Sequence, residues 1–181
     1  MASVEPRHLM SEADMDVCIR DIAHQIHRAV GDRDDIILMG IRTRGVPLAH
    51  WIARAYKDET SRTLPVGSLD INLYRDDLSE VDQQPVVKQT ELPTPIQGKG
   101  IILVDDVLYT GRTIRAALDA LVDFGRPSFV QLAVFIDRGF RELPIQADYV
   151  GKNVKTAAHE NVKVMLKETD GSNQVLVKTQ Q

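Results

Sequence analysis

Short apolar runs recur along the chain at positions that favour buried strands. Nearly uninterrupted apolar runs cover residues 36–39, 101–104 and 129–136, and a less regular run covers residues 64–73. Such runs are typical of strands that are buried on both faces of a parallel sheet.

Between these runs, apolar and polar positions follow the period of a helix. Apolar residues recur every three or four positions across residues 15–30, and residues 46–56 and 114–124 also show helical patterns. Ser11, with Asp14 three residues later, forms a weak capping box that predicts the start of the first helix. This alternation predicts an α/β fold with a mainly parallel central sheet flanked by helices.

The two ends of the chain carry weaker patterns. Residues 1–10 show none and are predicted to precede the fold. Short apolar segments at residues 149–151, 162–166 and 175–177 predict strands that finish the sheet or build an accessory lobe. We therefore predict an N-terminal extension over residues 1–10 and a single domain over residues 11–181.

A polar segment at residues 74–97 interrupts the alternation. It contains three prolines and no clear period, and long segments of this kind are commonly functional or disordered. We expect a mobile hairpin loop here, with Val86 and Val87 in one arm. Arg75 lies near its base, where it can close over a bound anion.

The composition is that of an ordinary globular protein, and it narrows the function classes. A formal net charge of −4 argues against a generally basic nucleic-acid-binding protein, although it leaves room for a local basic stripe. Cys18 is the only cysteine, which excludes an internal disulfide and argues against a cysteine-based zinc site. No apolar run approaches the roughly 20 residues of a membrane span, and the N-terminus lacks a signal-peptide pattern. We therefore expect a cytoplasmic protein with no membrane partner.

The richest chemistry lies in residues 101–113. Asp105 and Asp106 follow an apolar run, at the edge of the sheet where α/β proteins bind ligands. A turn with Gly111 and two threonine hydroxyls then leads into a helix, and turn N–H groups beside a helix N-terminus favour a phosphate. The stretch therefore predicts a site for a phosphorylated sugar. A phosphoacceptor aspartate would explain the acids but would leave the turn unused.

A second strand-to-helix loop, at residues 40–45, carries Arg42 and Arg44 between two glycines. The guanidinium group offers a planar fork of donors that matches phosphate oxygens. A turn with two solvent-facing arginines is the plainer interpretation, but a second anion site in the same sheet favours the functional one.

The apolar run, acid pair and Thr–Gly–Arg–Thr turn of residues 101–113 resemble the signature of the type I phosphoribosyltransferases. The resemblance implies that Asp105 and Asp106 act in catalysis by holding the ribose hydroxyls of phosphoribosyl pyrophosphate (PRPP), directly or through water and Mg²⁺. It also implies a pyrophosphate loop that contains Arg42, Thr43 and Arg44. The rest of the PRPP site would come from the turn and its flanks: Val107, Leu108, Tyr109, Thr110, Gly111, Arg112 and Thr113.

The sequence patterns at residues 70–79 and 137–153 point to a narrower family within this class. They resemble the bifunctional pyrimidine operon attenuation regulators, the PyrR family. Members of that family bind pyrimidine-operon mRNA and have uracil phosphoribosyltransferase activity. The resemblance implies Mg²⁺-dependent formation of UMP and pyrophosphate from uracil and PRPP, with UMP or UTP as effector. It also implies a type I phosphoribosyltransferase-like fold with a small hood, and a homodimer or larger homo-oligomer.

The same resemblance places the uracil pocket at the end of the run over residues 129–136, in Ile136, Asp137 and Arg138. Arg138 is the expected side-chain contact with the base, and the alternative is a structural ion pair with Asp137 or Asp148. Arg75 is the expected catalytic arginine of the mobile segment.

The RNA-binding residues that the resemblance implies come from two distant parts of the chain: Arg20, His24, Arg141, Lys152 and Thr156. Phe140, Gln146 and Lys155 stand where the family pattern has histidine, arginine and proline, and lost cations weaken phosphate contacts. Two alternatives therefore stay open. One is an RNA-binding regulator that senses UMP or UTP with little catalysis, and the other is a phosphoribosyltransferase for another base.

Overall fold

The computed structural model of the protein describes residues 6–75 and 89–179. A 3₁₀ turn at Asn72–Tyr74 accompanies eight strands and four α-helices in this part of the chain. In chain order they are β1 (Arg7–Met10), α1 (Glu12–Val30), β2 (Ile36–Ile41), α2 (Gly45–Thr60), β3 (Val66–Leu69), β4 (Gly100–Leu108), α3 (Arg112–Val122), β5 (Phe129–Asp137), β6 (Tyr149–Asn153), β7 (Glu160–Met165), α4 (Lys167–Asp170) and β8 (Gln174–Thr179).

Five strands form one parallel sheet in the order β3-β2-β4-β5-β6. β4 lies at its centre, where Ile102 and Val104 pack in the same core as α1 and α2, and Ile101 and Leu103 pack with α3 on the opposite face. Because both faces of the sheet are covered, β4 carries an uninterrupted apolar run over residues 101–104 before its two acids. The predicted α/β class with a parallel sheet is confirmed.

The helices begin and end near the predicted positions. The capping box of α1 is present: Ser11 Oγ accepts the Asp14 N–H at 3.3 Å, and an Asp14 carboxylate oxygen accepts the Ser11 N–H at 2.8 Å. Its apolar face, which includes Met15, Ile22 and Ile26, is fully buried against the sheet. Within the described residues, no helix combines the length and the apolarity that crossing a bilayer requires.

A separate antiparallel sheet in the order β1-β8-β7 uses both ends of the chain. In β1, His8 pairs with Leu176 of β8, so the prediction that residues 1–10 precede the fold is corrected at residues 7–10. Four residues have too short a pattern to reveal pairing with a strand so far away along the chain. β6 joins the main sheet, whereas β7 and β8 build the accessory one.

The segment predicted as a strand over residues 64–73 is a strand only at β3. The Asp70 carboxylate accepts the Asn72 N–H at 3.0 Å, a local turn that ends the strand and leads into the 3₁₀ turn. Within β3, Ser68 exchanges two backbone hydrogen bonds with Glu91, of 2.9 and 2.8 Å. The predicted hairpin, with Val86 and Val87, lies largely in residues 76–88, outside the described residues.

Candidate active site

Asp105 and Asp106 lie inside β4 rather than after it, because β4 continues four residues past the apolar run to Leu108. Each acid bonds to the next backbone amide: an Asp105 oxygen accepts the Asp106 N–H, and an Asp106 oxygen accepts the Val107 N–H, both at 2.9 Å. Asp105 is only 7% exposed. The central strand therefore presents two neighbouring carboxyl groups near its carboxyl end, the end of the strands outside which α/β proteins bind ligands.

Both acids lie in surroundings that disfavour the ionised form of a carboxyl group. Burial raises the pKa of Asp105 well above the usual range, and the neighbouring charge of Asp106 raises it further. Burial also raises the pKa of Asp106. The positive charge of Arg75 lowers the pKa of Asp105, and that of Arg44 lowers the pKa of Asp106, but neither outweighs burial. The pair is therefore suited to bind hydroxyl groups or a cation that compensates its charge.

The turn after β4 encloses a cavity of about 320 Å³. Gly111 has a φ of +93°, a conformation that favours glycine, and α3 starts at the next residue. The cavity therefore lies at the positive end of a helix dipole, which favours an anion. It is lined by Val107, Leu108, Tyr109, Thr110, Gly111, Arg112, Thr113, Ile114 and Glu142, which brings together all seven residues predicted for the turn and its flanks.

Glu142 adds an acid to this cavity that the sequence interpretation missed. Its carboxylate accepts a hydrogen bond from Arg112 Nε at 2.7 Å, and its N–H donates to the Thr110 carbonyl at 2.9 Å. The turn is thus tied to the segment over residues 137–153. We call this segment, together with residues 154–157 that follow it, the hood. Both partners of the ion pair are about half exposed, so it is a weak tether that an anionic ligand can replace.

The loop between β2 and α2 packs directly onto β4. A Cβ atom at Gly45 would lie 2.2 Å from the Val104 carbonyl oxygen, so only glycine permits this approach to the residue before the acid pair. The peptide bond between Arg42 and Thr43 is cis. The structure therefore brings the two loops that were predicted to bind anions to the same end of β4.

The two arginines of this loop are engaged with protein groups. Arg42 donates to Ser68 Oγ at 2.8 Å and to the Gln89 carbonyl at 3.0 Å. Arg44 donates to Asp170 at 2.9 Å. Asp170 was not predicted as a site residue, since its position in α4 is far from the loop in sequence and no local pattern marks the contact.

The hood packs around Arg138, which is only 5% exposed. Its guanidinium donates to Thr156 Oγ1 at 3.2 Å and to the Ala157 carbonyl at 3.3 Å, and it lies 4.1 Å from the centre of the Tyr109 ring. The alternative of an ion pair with Asp137 or Asp148 does not match these contacts. Asp137 instead accepts from Arg141 at 2.5 Å, and Asp148 accepts the Leu132 N–H at 2.8 Å.

The five residues predicted to bind RNA divide between two places. Arg141 and Thr156 lie in a groove of about 630 Å³ beside Asp137 and Arg138, and Lys152 is exposed on the adjoining strand β6. Arg20 and His24 lie beside α2: Arg20 lines a cavity of about 820 Å³ with Arg54 and Asp58, and His24 Nδ1 lies 2.6 Å from Glu59. Arg141 and Thr156 thus lie with the predicted uracil pocket, and Arg20 and His24 lie with α2. Lys152 lies between the two groups in the chain's fold, since it pairs with Ile136 in the sheet and its charge also acts on Asp14 of α1.

The fold and this site define a class of protein. The family model described as the phosphoribosyl transferase domain matches residues 15–169, so the chain is a phosphoribosyltransferase. Solved structures with this fold include a hypoxanthine-guanine phosphoribosyltransferase from Bacillus anthracis, with a TM-score of 0.71 and 18% identity over 97% of this chain and 99% of that one. A hypoxanthine phosphoribosyltransferase from Trypanosoma cruzi gives a TM-score of 0.72 with 19% identity over 99% of this chain and 93% of that one. At such identities the likeness concerns the fold alone.

Closer relatives define the family within that class. A protein named bifunctional protein PyrR from Pelotomaculum thermopropionicum is 58% identical over 156 residues, 86% of each chain. The protein of the same name from Thermus aquaticus is 54% identical over 167 residues, 92% of each chain. The chain belongs to the PyrR family, as its resemblance implied.

Proposed function

We propose that the protein transfers the phosphoribosyl group of PRPP to uracil, giving UMP and pyrophosphate. The observation that carries this proposal is the buried acid pair of the central strand beside the anion cavity of the turn. A phosphorylated sugar offers the hydroxyls and the phosphate that these two features match. Uracil as the base rests on the resemblance to the PyrR family.

In this proposal Asp105 and Asp106 bind the ribose hydroxyls, and the turn at residues 107–113 binds the 5-phosphate. Ionised carboxylates accept hydrogen bonds from hydroxyl groups, and the positive end of α3 compensates the phosphate charge. Gly111 lets the backbone approach the phosphate because it has no side chain. Substrate binding would thus supply the partners that the buried acids lack.

Mg²⁺ fits this site as an ion that arrives with its substrate. Within residues 6–75 and 89–179, no group of three or more histidine, cysteine, aspartate or glutamate side chains could hold a metal by itself. Mg²⁺ is commonly bound through one or two carboxylates together with substrate phosphates, and Asp105 and Asp106 can supply that share. When bound, Mg²⁺ would compensate negative charge on the pyrophosphate.

The leaving pyrophosphate would be bound by the loop at residues 42–44 and by Arg75, whose charge acts on Asp105. The bond from C1 of the ribose to the pyrophosphate oxygen breaks, and pyrophosphate leaves with the bonding electrons. Uracil N1 forms the new bond to C1 and loses its proton. Preorganised arginines stabilise the charge that develops on the leaving group.

The uracil pocket is proposed at Ile136, Asp137 and Arg138. Asp137 and Arg138 line the groove of the hood, while Ile136 is fully buried in β5 beneath them. Both polar residues are fixed by hydrogen bonds, which favours a rigid pocket that orients the base for attack at C1.

The test is turnover of purified protein with PRPP, Mg²⁺ and one of three bases: uracil, hypoxanthine or orotate. We expect UMP from uracil and no product from the others. Turnover with another base alone would reject uracil and retain the phosphoribosyltransferase.

The double variant Asp105→Asn with Asp106→Asn should fold and lose turnover by at least about a hundredfold, because both ribose contacts weaken. Unchanged turnover would remove the acid pair from the mechanism.

A second proposed function is binding of pyrimidine-operon mRNA. It is supported by the groove of the hood, where Phe140 is 46% exposed and Lys155 and Arg141 lie beside it. Exposed aromatic rings stack on unpaired bases, and cations bind phosphates. Titration of a leader hairpin with and without UMP or UTP tests the proposal. A salt-sensitive interaction that is indifferent to RNA sequence would reject specific regulation.

We further propose that the protein works as a homodimer or larger homo-oligomer, as the resemblance to the PyrR family implies. Sedimentation of the purified protein at several concentrations measures this directly, and a monomer at all of them would reject the proposal.

A further inference from the structure

Asp170 is a buried acid whose two oxygens are both fixed. Its side chain is only 10% exposed. One oxygen accepts from Arg44 at 2.9 Å, and the other accepts the Leu166 N–H at 3.1 Å. A carboxylate whose two oxygens both accept hydrogen bonds has one orientation, so the position of the arginine that binds it is also defined.

Arg44 lies between this acid and the acid pair of β4. It is the residue before α2, and the next residue, Gly45, packs directly against the Val104 carbonyl. Its charge acts on Asp106 as well as on Asp170. The arginine thus binds a buried counter-charge, Asp170, and is close enough to the site for its charge to act on Asp106.

The second arginine of the loop is held differently. Arg42 bonds to the neutral oxygens of Ser68 and Gln89, and its only acidic partner among the described residues, Glu91, is 3.4 Å away and 73% exposed. An exposed acid at that distance orients a side chain weakly. Arg44 is therefore the arginine of the loop with a rigid anchor.

Asp170 does not cancel the charge of Arg44 at the site. Lys163 Nζ lies 3.5 Å from the same Asp170 oxygen that accepts from Arg44. One carboxylate therefore faces two cations, and the cluster keeps a net positive charge. Such a charge favours the binding of a polyanion nearby.

We propose that Asp170 is a positioning residue that holds Arg44 at the pyrophosphate end of the active site. Asp170 acts through Arg44 and does not itself touch substrate. The inference rests on the proposed function, since it assigns Arg44 to pyrophosphate. It extends the site to α4, an element that the two loops and the hood do not include.

A purely structural role for Asp170 would be to fasten α4 to α2. The structure contains a second fastening of this kind, a hydrogen bond of 2.8 Å from Trp51 Nε1 to Glu168. Glu168 and Asp170 lie on the same short helix and both bind a residue of α2 or its cap. Glu168→Gln is therefore a matched control, because it changes the same chemistry on the same element without involving Arg44.

The experiment compares Asp170→Asn, Arg44→Gln, their double variant and Glu168→Gln. For each, kcat/KM for PRPP is measured with uracil and Mg²⁺, and the Kd of pyrophosphate with Mg²⁺ is measured by calorimetry. Asp170→Asn should lower kcat/KM about tenfold and weaken pyrophosphate binding by a similar factor, as expected for a lost charged hydrogen bond. Glu168→Gln should change either quantity by less than about twofold.

The double variant decides whether Asp170 acts through Arg44. We expect it to match Arg44→Gln alone, because Asp170 has nothing to position once Arg44 is gone. Losses that multiply in the double variant, or an Asp170→Asn protein with a lower Tm and unchanged kcat/KM and Kd, would overturn the inference. A wild-type protein without turnover would reject the proposed function. The pyrophosphate Kd values would then still decide the role of Asp170, and absence of pyrophosphate binding would overturn it.

Discussion

Asp105 is buried at the centre of the sheet although folding disfavours its charge. Its pKa is raised in the folded protein, chiefly by burial and then by the charge of Asp106. Folding therefore favours the protonated carboxyl. The stability that this group contributes is fully present below its unfolded pKa and is lost as the pH rises through the folded value. At neutral pH the site lowers the stability of the fold for the sake of binding.

Asp105→Asn should consequently stabilise the protein while it impairs the site. We expect the Tm to rise by about 3 °C at pH 8, with the gain shrinking as the pH falls and the wild-type carboxyl becomes protonated. Thermal unfolding between pH 5 and pH 8 is the measurement, with the exposed acid variant Asp16→Asn as control. A gain that grows toward acid pH would contradict the raised pKa.

Gly45 is the residue where the loop of the two arginines meets β4. Gly45→Ala forces a methyl group into the Val104 carbonyl, so the loop must move away from the acid pair. We expect kcat/KM for PRPP to fall by about a hundredfold, since displacements of about 1 Å have such effects. Gly98→Ala is the control, because its Cβ meets open space although φ is +72°. It should cost about 1 kcal/mol of stability and leave turnover unchanged.

Single residues were predictable from the sequence where local chemistry defines them. The turn at residues 107–113 needs only its own small, hydroxyl-bearing residues and the following helix, and all of it lines one cavity. Asp170 and Glu142 could not be found in this way. Their partners, Arg44 and Arg112, are distant in sequence, and an acid that binds a distant arginine looks like any surface acid in the linear pattern.

At the scale of elements, α1 shows how a local signal fixes a helix start. Ser11→Ala removes the hydroxyl that accepts the Asp14 N–H and that donates to the Asp14 carboxylate at 2.7 Å. We expect a loss of about 1 kcal/mol, or about 3 °C in Tm. Thermal unfolding measures it, with Ser128→Ala on an exposed loop as control. An equal change in both variants would show that the cap contributes nothing.

The type of each main element was predictable, whereas its bounds depended on tertiary contacts. β4 extends through its two acids because Asp105 pairs with Val134 and Leu108 with Asp137 of β5, and an apolarity pattern ends where the acids begin. β1 was missed for a related reason. Its pairing with β8 joins the two ends of the chain, and its exposed, charged first residues resemble a disordered end.

At the scale of the molecule, the hood joins two sets of residues to which the sequence analysis gave different roles. Asp137 and Arg138 were assigned to uracil, and Arg141 and Thr156 were assigned to RNA. In the structure, each residue assigned to uracil is hydrogen-bonded to one assigned to RNA: Asp137 to Arg141, and Arg138 to Thr156. Arg141 also donates to the carbonyls of Tyr109, Gly139 and Ile145, and so ties the phosphate turn to the hood.

Thr156→Val tests this pairing. It removes the oxygen that accepts from Arg138 Nε and keeps the shape of the side chain, so Arg138 should lose its fixed position. We expect KM for uracil to rise about fivefold and kcat to change little, as for a lost hydrogen bond to a charged group. Steady-state kinetics measure it, and Lys178→Ala, an exposed lysine on β8 outside the groove of the hood, serves as control. An unchanged KM for uracil would place Arg138 outside the base pocket.

The hydrogen bonds of Asp137 with Arg141 and of Arg138 with Thr156 also have a genetic consequence. A screen that selects only for growth on uracil will return changes at Arg141 and Thr156, because both side chains hold residues of the proposed base pocket. A screen for loss of gene repression would return the same two positions if the groove also binds RNA. Selection on either trait therefore constrains the other, and variants that separate the two traits should be sought at Arg20 and His24 on α1, whose contacts are with residues of α2 rather than with Asp137 or Arg138.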